Sequence, residues 1–115
     1  MLISGELGAG KTTFVRGACR ALGVRVAVTS PTFTIGQRYP ATGGPAATVS
    51  HIDLYRIAHL DDEDPDLLAD YIGPGTISFV EWPEGAEPAI AGLARVARRV
   101  KLAHAGGDHR TVEIE

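Results

Sequence analysis

One cysteine in 115 residues, Cys19, excludes an intrachain disulfide and suits a reducing compartment. Cys19 stands among Val15, Ala18 and Leu22, on what reads as a buried helix face, so packing explains it better than thiol chemistry. Neither sign of charge dominates: the net charge is -3 and the pI is 5.8. That balance excludes electrostatic attachment to bulk nucleic acid or an anionic membrane, although not contact with an enzyme that handles nucleic acid. No apolar stretch is long enough to cross a bilayer. Ahead of the first glycine stand only Met1-Leu2-Ile3-Ser4, without a basic n-region or an h-region. The expectation is a protein that stays in the cytoplasm where it is made. There is no internal repeat, heptad or low-complexity tract, and no cysteine–histidine cluster that would suit zinc.

What remains is an ordinary globular composition, 44% hydrophobic and 22% charged, enough to bury a core. The length fits one small domain over residues 1–115. Residues 1–4 read as the end of a buried strand, cut short, and residues 5–10 as a loop. Residues 11–22 predict a helix with Phe14, Val15, Ala18, Cys19 and Leu22 at helical spacing and Gly23 as its stop. Residues 25–29, alternating and rich in valine, predict a strand. Two more strands, 34–39 and 47–55, flank a glycine- and proline-rich connection at 40–45. Residues 61–71 predict a short helix with an acidic start, ended by Gly73-Pro74-Gly75. Residues 76–82 form a dense apolar strand closing in Glu81-Trp82-Pro83-Glu84. Beyond them a short helix near 87–93 and a terminal hairpin are preferred to one long helix. The reason is that Val100, Leu102 and Val112, Ile114 alternate on either side of Gly106-Gly107-Asp108. Strands and helices alternating after a strand–loop–helix unit predict an α/β sandwich.

Gly5-Glu6-Leu7-Gly8-Ala9-Gly10-Lys11-Thr12 satisfies G-x-x-x-x-G-K-[ST] at every required position. Glycines let the backbone turn tightly and bring amides against phosphate oxygens with no Cβ between. The helix that follows points its positive end at the same anion. Lys11, one of only two lysines in the chain and read as an exposed loop residue, can reach the β- and γ-phosphates. The Thr12 hydroxyl can ligate magnesium. The nucleotide-binding set is therefore Gly8, Ala9, Gly10, Lys11, Thr12 and Thr13.

Such a loop needs a carboxylate across the site, and the apolar strand that ends in Glu81 supplies one. Glu81 is expected to organise metal or position water, with Trp82 either close to the nucleotide or placed by packing alone. In His51-Ile52-Asp53-Leu54-Tyr55-Arg56, residues His51, Asp53 and Tyr55 alternate onto one face of a strand at what reads as a sheet edge. Asp53 can bind a metal-bound water or orient the attacking water, and Arg56 can pair with an acid or a phosphate. Ser30-Pro31-Thr32-Phe33 reads either as a simple turn or as a loop that γ-phosphate and magnesium order. The acidic run 61–66 reads as a solvated helix start, and His59, His104 and His109 as isolated and solvent-facing. Asp70-Tyr71-Ile72-Gly73 has the D-x-x-G form, yet no N-K-x-D accompanies it, which disfavours GTP.

Taken in order, residues 5–13, Ser30-Pro31-Thr32-Phe33, His51-Ile52-Asp53-Leu54-Tyr55-Arg56 and Val80-Glu81-Trp82-Pro83-Glu84 closely resemble the TsaE family. The resemblance implies a P-loop NTPase three-layer sandwich with a mixed central sheet. It also implies a weak, partner-dependent ATPase that uses ATP and Mg2+ in the threonylcarbamoyl modification of tRNA adenosine, with TsaB and TsaD as partners and TsaD as the transferase. Carried onto this sequence, Lys11 and the loop amides hold phosphates, Thr12 and Glu81 hold magnesium, and Asp53 is an active-site acid; the catalytic set is Lys11, Asp53 and Glu81. Family members carry a helix and more of the first strand ahead of the loop. With four residues before Gly5, the resemblance implies a truncated N-terminal strand and helix, weakened ATP affinity and marginal stability, or a start placed too far downstream.

Two other readings compete. A P-loop small-molecule kinase needs a lid with several arginines, and Arg95, Arg98 and Arg99 are the one cluster available. A nucleotide-dependent interaction module needs binding without turnover.

Overall fold

A computed structural model of the chain describes residues 1–6, 8–30, 34–55, 57 and 66–115. The short apolar start becomes strand β1, Leu2–Gly5. Five further strands follow: Gly36–Pro40 (β2), Thr48–Asp53 (β3), Thr76–Glu81 (β4), Arg99–His104 (β5) and Arg110–Ile114 (β6). They form one mixed sheet in the order β2-β3-β4-β1-β5-β6. The four inner strands run parallel, and β2 and β6 close the two edges antiparallel. Parallel strands are covered on both faces, so their sequences read as near-continuous apolar runs. β1 illustrates this: Leu2 is buried in one core cluster and Ile3 in the other.

Helix α1, Lys11–Ala21, covers one face. Its Val15 and Cys19 are fully buried against Ile3, Val49, Phe79 and Val100. The other face is covered by the short helix α2, Glu87–Ala91, and by the turns around Leu68 and Ile72, which pack with Ile52, Leu54 and Val80. Each such large aliphatic side chain contributes roughly 1.5–3 kcal/mol when buried. The three layers are those expected of a P-loop NTPase sandwich.

Residues 25–29 depart from expectation. They form no strand: Val28 is buried, but Val26 is 53% exposed. The valine alternation at 24, 26 and 28 imitates a strand, but the sheet ends at β2 and offers the segment no ladder partner. It is tied down instead by Arg16 Nε, which donates to the Val28 carbonyl at 2.8 Å. The predicted helix 61–71 is also corrected. Residues 61–65 lie outside the described residues, and residues 66–71 are turns. The tail follows the preferred reading, with α2 and then the β5–β6 hairpin. β3 is an inner strand between β2 and β4, not a sheet edge.

Candidate functional site

The site forms where β1, β3 and β4 end beside the head of α1. Chain geometry dictates the loop between β1 and α1. At Gly5 an added Cβ would lie 2.4 Å from the Leu102 carbonyl oxygen, because β1 and β5 are in register there. Gly10 caps α1 at φ 99°, a left-handed conformation that L side chains avoid. Between them the Ala9 N–H closes onto the Glu6 carbonyl at 3.0 Å, and the Ala9 side chain is buried. Leu7 lies outside the described residues. The amides of Lys11, Thr12 and Thr13 belong to the opening turn of α1, where backbone N–H groups lack an intrahelical acceptor. They make the mouth of the helix an anion site.

Lys11 is not the exposed loop lysine that the motif suggests. It is the first residue of α1 and only 6% exposed. Its ammonium donates to the carbonyls of Gly5 at 2.8 Å and Glu6 at 2.7 Å, and lies 4.2 Å from the centre of the Trp82 ring. Burial pulls its pKa below the ordinary lysine value, while the carboxylates of Glu81, Asp53 and Glu84 pull the other way. Trp82 reaches this position by an unusual turn. At φ 57° it is the one non-glycine residue with positive φ among the described residues. That conformation costs about 1–2 kcal/mol and breaks the alternation of β4 immediately after Glu81. The indole then packs against Tyr55, with ring centroids 4.9 Å apart.

Glu81 ends β4 with its side chain buried. The Thr12 hydroxyl lies 3.2 Å from each of its carboxylate oxygens and 3.1 Å from the Ser30 hydroxyl. Oε2 of Glu81 also meets Nε2 of His51, a side chain fully buried in β3. Asp53 pairs with Glu81 across the β3–β4 register, and its Oδ1 accepts the Tyr55 N–H at 3.0 Å. The two carboxylates therefore share one sheet end opposite the positive end of α1.

An open cleft of about 360 Å³ joins these groups, lined by Gly8, Gly10, Lys11, Thr12, Thr13, Ser30, Asp53, Tyr55, Glu81 and Trp82. Its size suits a small-molecule ligand. Of the predicted nucleotide-binding set, Ala9 alone stands behind the lining rather than in it. Arg95, Arg98 and Arg99 do not line the cleft; Arg99 pairs with Glu87 instead. Pro31, Thr32, Phe33, Arg56 and His59 lie outside the described residues. The sequence reading gave His51 no clear task and missed the approach of Lys11 to Trp82. The His51–Glu81 contact spans 30 positions and follows only from strand register. The αL turn at Trp82 has no local sequence signature.

The donor set fits the ligands the loop implies. Backbone amides and one ammonium suit a phosphate chain. No group of three or more His, Cys, Asp or Glu side chains that could hold a metal occurs among the described residues. A metal here would have Thr12 and Glu81 as protein ligands and draw the rest from water and phosphate. That is the habit of magnesium, whose octahedral shell at 2.0–2.1 Å sets neighbouring ligands about 3 Å apart. The 3.2 Å between Thr12 Oγ1 and the Glu81 oxygens fits that spacing.

The family model described as "Threonylcarbamoyl adenosine biosynthesis protein TsaE" matches residues 1–112. The chain belongs to the TsaE family. This is a family of P-loop ATPases of tRNA threonylcarbamoyladenosine biosynthesis. The TsaE protein of Streptomyces coelicolor is 43% identical over 108 residues, covering 94% of this chain and 70% of that protein. That of Bacillus subtilis is 34% identical over 113 residues, covering 97% of this chain and 66% of the relative. That of Haemophilus influenzae is 37% identical over 82 residues, covering 71% of this chain and 50% of the relative. The chain thus spans from half to seven-tenths of the length of these TsaE proteins.

Proposed function

We propose that this chain binds ATP with magnesium and hydrolyses it weakly. In this reading it serves as a cytoplasmic accessory protein of the threonylcarbamoyl modification of tRNA adenosine, acting with TsaB and TsaD. The carrying observation is the meeting of Thr12 with Glu81 at the head of α1, 3.2 Å from each carboxylate oxygen, in the same cleft as Lys11. Family membership adds the modification pathway. No helix among the described residues is long and apolar enough to cross a membrane.

Each residue has a physical task. The amides of Lys11, Thr12 and Thr13, with Gly8 and Gly10 leaving room for close approach, bind phosphate oxygens. Lys11 supplies the compensating charge from a nearly buried position, where Coulomb attraction is less screened than in water. Thr12 and Glu81 would hold magnesium, which when bound would supply charge neutralisation for the phosphates. Asp53, fixed by its bond to the Tyr55 amide, orients the attacking water at the lip of the cleft. Trp82 and Tyr55 wall one side of the cleft.

Phosphate release from Mg-ATP is to be measured for the chain alone and with TsaB and TsaD added. The proposal expects slow release alone, stimulation by the partners, and loss of both with Lys11→Ala. Steady phosphorylation of a metabolite without TsaB or TsaD would instead support a kinase. Binding without release, even with both partners, would support an interaction module.

A further inference from the structure

A histidine lies fully buried in β3 among apolar side chains, with Val49 two residues before it and Phe79 beside it in β4. Its Nδ1 has no hydrogen-bond partner among the described residues. A hydrocarbon of similar shape would fill the same space without leaving a buried polar atom unpaired. Packing therefore does not account for an imidazole here. Its one polar contact does: Nε2 meets Oε2 of Glu81.

β3 and β4 run parallel with His51 opposite Phe79 and Asp53 opposite Glu81. Glu81 is therefore the diagonal neighbour of His51 on the face that carries α1. Its carboxylate folds back along the sheet to His51, and the same group faces Thr12 Oγ1 at 3.2 Å. The Ser30 hydroxyl continues the chain at 3.1 Å from Thr12. An ionised carboxylate only accepts hydrogen bonds, so Nε2 is the donor in this contact.

We propose that His51 is a positioning residue: its Nε2–H fixes the Glu81 carboxylate in the orientation that faces Thr12 and the metal-bearing end of the nucleotide. This rests on the reading of Glu81 as the metal-organising acid. Without the imidazole, the end of the glutamate side chain is free to rotate, and the Thr12–Glu81 spacing is no longer held before the ligand arrives. Outer partners of this kind typically change metal affinity or activity 10–100-fold when removed.

The test compares wild type with His51→Leu, His51→Gln and Glu81→Gln. Trp82 fluorescence reads nucleotide affinity in EDTA and magnesium half-saturation at saturating ATP; single-turnover hydrolysis and thermal melts accompany it. For His51→Leu the proposal expects magnesium half-saturation to rise about 10-fold, with ATP affinity in EDTA within about twofold of wild type. His51→Gln, whose amide N–H reaches a similar place, should recover most of the loss. Nitrogen-15 spectra of the metal-free protein should show a protonated Nε2 whose signal moves in Glu81→Gln. A His51→Leu variant that melts earlier while its folded fraction keeps wild-type magnesium dependence overturns the proposal. So does a folded His51→Gln that is not rescued. If Glu81→Gln itself keeps wild-type magnesium dependence, the underlying role of Glu81 is what fails.

Discussion

Replacing Thr12 by valine removes one hydroxyl and preserves the side-chain outline. In the nucleotide-free protein that hydroxyl shares one proton between two carboxylate oxygens at 3.2 Å, long for an O–H···O bond. The residue is half-buried, so the lost bond and the less satisfied carboxylate are worth about 1.5 kcal/mol of stability, the low end for charged partners. With magnesium and nucleotide bound the loss is larger. A methyl group would stand where a ligand oxygen belongs. Magnesium-dependent ATP affinity should then fall at least tenfold, about 1.4 kcal/mol, while affinity in EDTA changes little. Calorimetric titration of ATP into wild type and Thr12→Val, each with and without magnesium, separates the two effects. Equal losses in EDTA and magnesium would mean that the hydroxyl acts through loop shape and not through the metal.

Two further substitutions test the scaffold. Gly5→Ala should destabilise the fold by about 2–4 kcal/mol, combining the cost of positive φ with a clash against the Leu102 carbonyl. Gly10→Ala, with open space around the added Cβ, should lose only about 1–2 kcal/mol; equal losses in urea unfolding would contradict the β1–β5 register. For Lys11 the folded pKa is lowered, so the unfolded chain binds more protons and stability rises with pH in the window below 10.5. Wild type should therefore gain stability relative to Lys11→Met as pH climbs from neutral towards 10.5, measured by denaturant titration at several pH values; a gap that is constant or moves the other way counts against Lys11 being desolvated.

Much of this site was legible because its constraints are local. Gly5, Gly10, Lys11 and Thr12 each answer a requirement set within eight residues, so the phosphate loop could be read directly. Glu81 was legible as the end of an unbroken apolar strand, and the terminal hairpin as two alternating stretches around Gly106-Gly107. The failures are non-local. The valines at 24, 26 and 28 alternate like a strand, and only the sheet order reveals that nothing pairs with them. His51 becomes meaningful only once β3 and β4 are aligned and bring it to Glu81. Lys11 looked exposed because a motif does not convey that Trp82, 71 positions later, turns its ring over the ammonium.

Every role proposed for the cleft requires a triphosphate held by loop amides, Lys11 and a metal between Thr12 and Glu81. Isothermal titration of Mg-ATP into the folded protein measures this most directly. Saturable heat for one site per chain is expected, abolished in Lys11→Ala. No heat of binding from folded wild-type protein at any ATP concentration tried would contradict it.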